Sequence, residues 1–354
     1  MSHFTVLVIG EDIKKQLAPF QENNMGDCPE KFMEFNDVEP EYRERYENDT
    51  ETRYKRVGDE DLYEGGEDIF YRVAAPEEVV EFNSLPYFER SMKFPRHKYC
   101  DGGELYLHIG FDDFELIEVP VKEIYPTFDK YMTEYAGYRL DEKTGKYGYW
   151  ENPNSKWDWY TVGGRWTGVF KLKEGAKGEV DSAGIMTERA KPGYADSALK
   201  GDIDFEAMRD AAGEEAGSRW DAVDAKLSGI PREDFVTWDK ARDEMFPGDI
   251  DAAQKFYNEQ PLAVAFKGCS DTVGYFADIS DYLVPREKFI QTARDGAVCT
   301  FAILKDGKWY ERGEMGWWCC VANEKDKDDW NSQFAKLIDE LPDDARLTVV
   351  DCHI

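Results

Sequence analysis

Only four histidines occur in the 354 residues, and two of them, His3 and His353, lie on segments expected to pair as neighbouring strands. With Asp351 they form a candidate metal or acid–base corner, because imidazole and carboxylate groups ligate divalent metals and exchange protons near neutrality. Strand alternation puts Asp351 and His353 on one face and Cys352 on the other. The plain alternative is a strand-end histidine serving only a backbone partner. A second candidate is the stretch 152–170, which gathers aromatic rings around Gly163-Gly164-Arg165. A guanidinium held against aromatic planes binds a phosphate or carboxylate through two parallel hydrogen bonds, and the rings can stack on a nucleotide base. Trp157, Trp159, Tyr160, Arg165 and Trp166 are therefore the expected ligand-binding group. The competing reading is an arginine stacked on tryptophan that simply fastens a bend. A looser set, Glu104, Asp112, Asp113 and Glu115 with His97 and His108, could hold a divalent cation for hydrolysis, but its spacing matches no metal signature.

Several chemistries have no motif in the chain. Gly163-Gly164 is not a phosphate loop, since neither GxxxxGK[ST] nor GxGxxG leads from a strand into a helix. A GxSxG nucleophile pattern is also missing, and no CxxC pair suits zinc or redox work. No cofactor is expected.

The elements that must position these residues can be read in order. The apolar run 4–9 predicts a strand buried on both faces. A short helix is expected over 11–20, and an exposed helix with i,i+4 ion pairs around 41–46. Residues 79–88 and 129–138 predict two more short helices. The segment 157–172 reads as two strands kinked at the glycine pair. Residues 190–262 carry helical spacing, with Ile203, Phe205, Met208 and Ala212 on one face and Trp220, Val223 and Leu227 on another. Asp306-Gly307 between two apolar runs predicts a hairpin. A strand is expected over 315–321, where Trp317 and Trp318, like Trp330, read as core. An amphipathic helix over 326–341 and a strand over 347–354 follow.

The resulting expectation is an α+β fold whose antiparallel or mixed sheet pairs the N- and C-terminal strands. Its parts are a first strand and helix (1–20), an acidic loop-rich insertion (21–146), an aromatic sheet segment (147–189), a helical subdomain (190–262) and a C-terminal α+β part (263–354).

Composition narrows the partners. The net charge is −30, which argues against direct binding to nucleic-acid phosphates. It fits plain solubility, a host protein with a basic surface, or mimicry of a polyanion. Across 11–68 the acidic residues exceed the basic ones by about eleven. No run reaches the ~18 apolar residues of a membrane span, and the first ten residues read as a strand and not a signal peptide. The seven cysteines are scattered except for Cys319-Cys320, which predicts a reduced cytoplasmic protein.

The start His3-Phe-Thr-Val-Leu-Val-Ile9, the centre Asn152-Pro-Asn-Ser-Lys-Trp-Asp-Trp-Tyr160 with Gly163-Gly-Arg-Trp166, Arg312-Gly-Glu-Met-Gly-Trp317 and the closing Val350-Asp-Cys-His353 resemble an uncharacterised family of bacterial and phage proteins. The resemblance spans nearly the whole chain and implies an accessory gene often carried by phages. It brings no reaction, cofactor or catalytic residue. The expected function is an acidic accessory protein that binds a host protein, as an antagonist of host defence acting by nucleic-acid mimicry. The alternative is an enzyme or sponge for a small nucleotide-like ligand at the aromatic and Arg165 cleft.

Overall fold

A strand whose side chains alternate between two cores, β1 (His3–Ile9), runs through the larger of two units in the computed structural model. The structure describes residues 2–56, 58, 60–99, 103–183, 190–274, 277–316 and 320–354. The larger unit is Met1–Met33 with Asn152–Ile354, and the smaller is Glu34–Glu151. The main sheet of the larger unit is built from β1, β2 (Trp159–Gly164), β3 (Ser197–Leu199), β4 (Ala302–Lys305), β5 (Lys308–Glu311) and β6 (Arg346–His353), extended by the two-residue strands Gly178–Glu179 and Ser182–Ala183.

The N- and C-terminal strands pair as expected. β6 runs antiparallel to β1 from His3↔His353 to Ile9↔Leu347. On its other side β6 meets β2 along Asp351 and His353, and β3 along Leu347 and Thr348. β1 pairs in parallel with β4, and β4 forms a hairpin with β5. Its turn residues Asp306 and Gly307 both have left-handed φ, 52° and 71°, as that turn type demands.

One face of the sheet presents Leu7, Ile9, Ile303, Leu347 and Val349 to Trp330, Phe334 and Ile338. Those three lie on α3 (Lys327–Glu340), the amphipathic helix foreseen from its spacing, whose N-terminus Asp326 caps. The opposite face buries Phe4, Val6, Val8, Leu304, Val350 and Cys352 with Leu17 and Trp157.

The helical region differs from the expected 190–262. It opens with α1 (Phe205–Leu227), capped by Asp204, and continues past 262 to α2 (Arg286–Asp295). Val223, Leu227, Leu262, Ile279 and Tyr282 form its core. Residues Ser197–Leu199 are sheet because Ser197 pairs with Thr348, their hydroxyls 2.8 Å apart and buried. The expected strand over 315–321 is two short pieces, Glu314–Met315 and Val321–Ala322, and Trp317 and Trp318 lie outside the described residues. No described helix is long and apolar enough to cross a membrane.

The smaller unit starts and ends later than the expected 21–146. Glu34–Asp37 pairs antiparallel with Gly148–Glu151, and this ladder closes it. The helix Glu39–Asn48 carries the i,i+4 pairs Arg43–Glu39 and Arg45–Glu41. Where one helix was expected over 79–88 there are two, Pro76–Ser84 and Tyr87–Lys93, with Leu85 and Pro86 between them.

Tyr131 and Tyr147 share a buried aromatic cluster with Val121 and Met132. Burial pushes the Tyr131 phenol up to about 12, and a hydrogen bond to Asp129, reinforced by burial, does the same for Tyr147. The unfolded chain therefore ionises these phenols near the ordinary tyrosine value of about 10, while the fold keeps them neutral. Between pH 10 and 12 the unfolded state binds fewer protons, so stability falls as pH rises. The urea midpoint followed by near-ultraviolet circular dichroism is expected to drop across that window, and less steeply in Tyr131→Phe. Identical slopes for both proteins would contradict this.

Candidate functional site

The polar side chains of the site share one face of the sheet with Leu7, Ile9 and Val349. Register places His3 opposite His353, Thr5 opposite Asp351, and Trp159 and Thr161 opposite His353 and Asp351 from the other side. Period-two alternation then puts all six on the α3-covered face, beyond its apolar part. The sheet is thus continuous in backbone but changes from apolar to polar along β1 and β6.

Two carboxylate–imidazole pairs stand there. His3 Nδ1 lies 2.8 Å from Asp351 Oδ1, and His353 Nδ1 lies 2.6 Å from Asp158 Oδ1. The side chains are largely enclosed, 10% exposed for His3, 3% for Asp351, 7% for His353 and 14% for Asp158. The two rings meet edge to face with centroids 5.0 Å apart. Trp159 stacks on His353 at 5.0 Å and meets His3 edge-on at 5.1 Å. A carboxylate on Nδ1 holds the neutral ring's proton there and leaves the Nε2 lone pair available. Among the described residues neither Nε2 has a protein hydrogen-bond partner.

The glycine pair explains how these carboxylates are held. Gly163 and Gly164 have φ of 73° and 53°, and a Cβ on them would come within 2.4 Å of the Asp196 carboxylate and 2.5 Å of Asp351 respectively. Only glycine accepts both the dihedral and the contact. Beyond the pair, Arg165 N donates to Asp351 Oδ2 at 2.9 Å. Asp196 is fully buried and accepts from Gly168 N (2.5 Å), Asp181 N (2.9 Å) and the Thr167 hydroxyl (3.2 Å). Asp351 therefore spends one oxygen on the turn and the other on His3. Asp158 is held by its neighbours: Oδ1 also accepts from Trp159 N at 2.7 Å and Oδ2 from Asn24 Nδ2 at 3.1 Å. Glu22 lies in the field of this pair. Burial pushes its carboxyl up, Asp158 adds to the rise and His353 opposes it.

The structure brings His3, Asp351 and His353 together, but it separates the five residues expected to bind a ligand. Trp157 is buried on the opposite face, its indole N–H donating to Leu17 O at 3.1 Å and its ring meeting Tyr160 edge-on at 5.1 Å. Burial pushes the Tyr160 phenol up. Trp166 packs against the core under α3. Trp159 points the other way, 45% exposed beside the histidines. Strand alternation alone divides Trp159 from Tyr160. Arg165 is exposed, and among the described residues its guanidinium makes no ion pair and lies over no ring, so it does not fasten the bend by stacking.

The looser cluster does not assemble. Glu104, Asp112, Asp113 and Glu115 are exposed. His97 Nδ1 bonds Phe94 O at 2.8 Å, and the His108 ring stacks on Phe70 and accepts from Gly110 N at 3.0 Å. Burial, with Arg96 nearby, holds the His108 imidazole below its ordinary value. Among the described residues no group of three or more His, Cys, Asp or Glu is placed to hold a metal ion.

Asp158, Asp196 and Glu22 escaped the sequence reading. The signal for two of them is present: Asp158 interrupts a tryptophan run, and Asp196 is a lone acid in the otherwise uncharged Tyr194-Ala-Asp-Ser-Ala-Leu199. An acid in a buried strand needs donors, so it marks a network. In comparisons with protein-family models, curated proteins and solved structures, nothing matches the chain.

Proposed function

We propose that the chain binds a small nucleotide-like ligand at the His3/His353 corner and exchanges protons with it. One observation carries this: two imidazoles, each oriented by its own carboxylate, lie ring to ring, and among the described residues neither Nε2 has a protein hydrogen-bond partner. General acid–base work needs such a fixed, paired arrangement. Trp159 offers an exposed indole face for a base, and Arg165, whose backbone N–H shares the Asp351 carboxylate with His3, offers a guanidinium for a phosphate. Native mass spectrometry of the protein incubated with a mixture of nucleotides tests this. The expected result is a retained nucleotide adduct, lost in Trp159→Ala and weakened in Arg165→Ala. A spectrum without any adduct would sink the reading.

A second reading, occupation of a host protein with a basic surface, is favoured by a different observation. The 34–151 unit has thirty acidic against fifteen basic residues, so it carries half of the net charge of −30 on a third of the chain. It also exposes Tyr87, Phe88 and Met92 at 71–82% on the helix Tyr87–Lys93. Apolar anchors within an acidic surface suit a partner that presents apolar side chains among Lys and Arg. A protein retained on gentle purification from a bacterial host, released by high salt and lost in Phe88→Ala, is the expected result. Retention unchanged by Phe88→Ala would contradict it.

A further inference from the structure

We infer that the paired histidines cleave a ribonucleotide phosphodiester by transfer to its own neighbouring hydroxyl. The inference rests on the ligand reading above and gives it a reaction. Both Nδ1 atoms are committed to carboxylates, so the only ring atoms that can work on a ligand are the two Nε2 atoms. The chemistry that uses two imidazoles side by side is one that removes a proton at one atom and returns a proton at another a few ångströms away. Phosphodiester transfer has that requirement. One neutral imidazole accepts the proton of the 2′-hydroxyl as the O2′–P bond forms. The P–O5′ bond breaks, its electron pair goes to O5′, and the other imidazole, protonated, gives its proton to that oxygen. The products are a 2′,3′-cyclic phosphate and a free 5′-hydroxyl. No water or other co-reactant is consumed, and the two rings exchange protons with solvent to reset.

The surroundings agree with this substrate class. Trp159 stands against both rings with 45% of its surface open, next to where a base would lie. Arg165 enters beside Asp351, and its guanidinium is unpaired among the described residues. Among the described residues, Asp351 and Asp158 bond the rings and Glu22 lies in the field of His353. These carboxylates, with a chain net charge of −30, disfavour a long polyanion. The substrate is accordingly a short linear or cyclic 3′–5′ dinucleotide. Asp351 and Asp158 are positioning residues, since they act through the rings.

The test uses the full chain, the linear dinucleotides UpA and ApA, a cyclic 3′–5′ diribonucleotide and the 2′-deoxy counterpart of each, with products identified by mass spectrometry. The expected result is a 2′,3′-cyclic phosphate from at least one ribonucleotide and no product from the deoxy forms. His3→Gln and His353→Gln, checked for folding by circular dichroism, are each expected to lower the rate by about a hundredfold or more. His97→Gln, in the other unit, should leave it unchanged. Cleavage of the deoxy forms, or activity abolished by EDTA, would overturn the inference. Adducts without cleavage would overturn it too, while leaving the ligand reading in place. Neither adducts nor cleavage would overturn both.

Discussion

Gly164→Ala is expected to lower the unfolding free energy of the larger unit by about 3 kcal/mol, the sum of backbone strain and overpacking. The methyl group would have to sit 2.5 Å from Asp351, at a φ of 53°. The turn would open, Arg165 N would leave Asp351 Oδ2, and the carboxylate that fixes His3 would lose its other partner. Gly175→Ala separates the two contributions. Gly175 has φ 74° but nothing within 4 Å of a Cβ, so it shares only the strain, about 1 kcal/mol. Equal urea midpoints for the two variants would show that the Asp351 contact does not constrain the turn.

The second large effect is at Asp196. Asp196→Ala removes the buried, charged acceptor shared by the N–H groups of Gly168 and Asp181 and the Thr167 hydroxyl. A hydrogen bond to a charged group contributes about 1.5–3 kcal/mol, so with partial rescue by water a loss of about 4 kcal/mol is expected, with Asp196→Asn between it and the parent. Asparagine keeps one accepting oxygen but turns an N–H toward a donor. A denaturation midpoint within error of the parent would mean that water reaches these groups, contrary to the full burial of Asp196.

These two residues also mark where the sequence ceased to be readable. The elements with a strong local signal were legible: the apolar run of β1, the Asp306-Gly307 hairpin, the period of Trp330, Phe334, Ile338 and Leu341, and the meeting of His3 with His353. Each depends on neighbours within a few positions, or on two strongly apolar strands seeking one another. Gly163-Gly164 was legible as a bend but not as a clamp, because its purpose lies with Asp196 and Asp351, distant in sequence. The five aromatic and arginine residues from Trp157 to Trp166 looked like one group because they are close in the chain. Two-residue periodicity sends them to opposite faces instead. Tyr147-Gly-Tyr-Trp-Glu151 reads as continuous with the stretch after it, whereas its last four residues close the smaller unit against Glu34–Asp37.

The place of β6 has a consequence for how the molecule is made. This strand leaves the ribosome after every other element described, yet β1, β2 and β3 all pair with it. β1 must therefore wait through the translation of some 340 residues for the partner of one of its edges. Contacts across such separations form slowly, because loop closure precedes their reward. The 34–151 unit, whose closing ladder is complete by residue 151, can settle long before. Nascent chains halted before residue 346 should thus hold a protease-resistant 34–151 fragment beside a sensitive remainder, and the histidine corner should appear last of all, in a single step with β6.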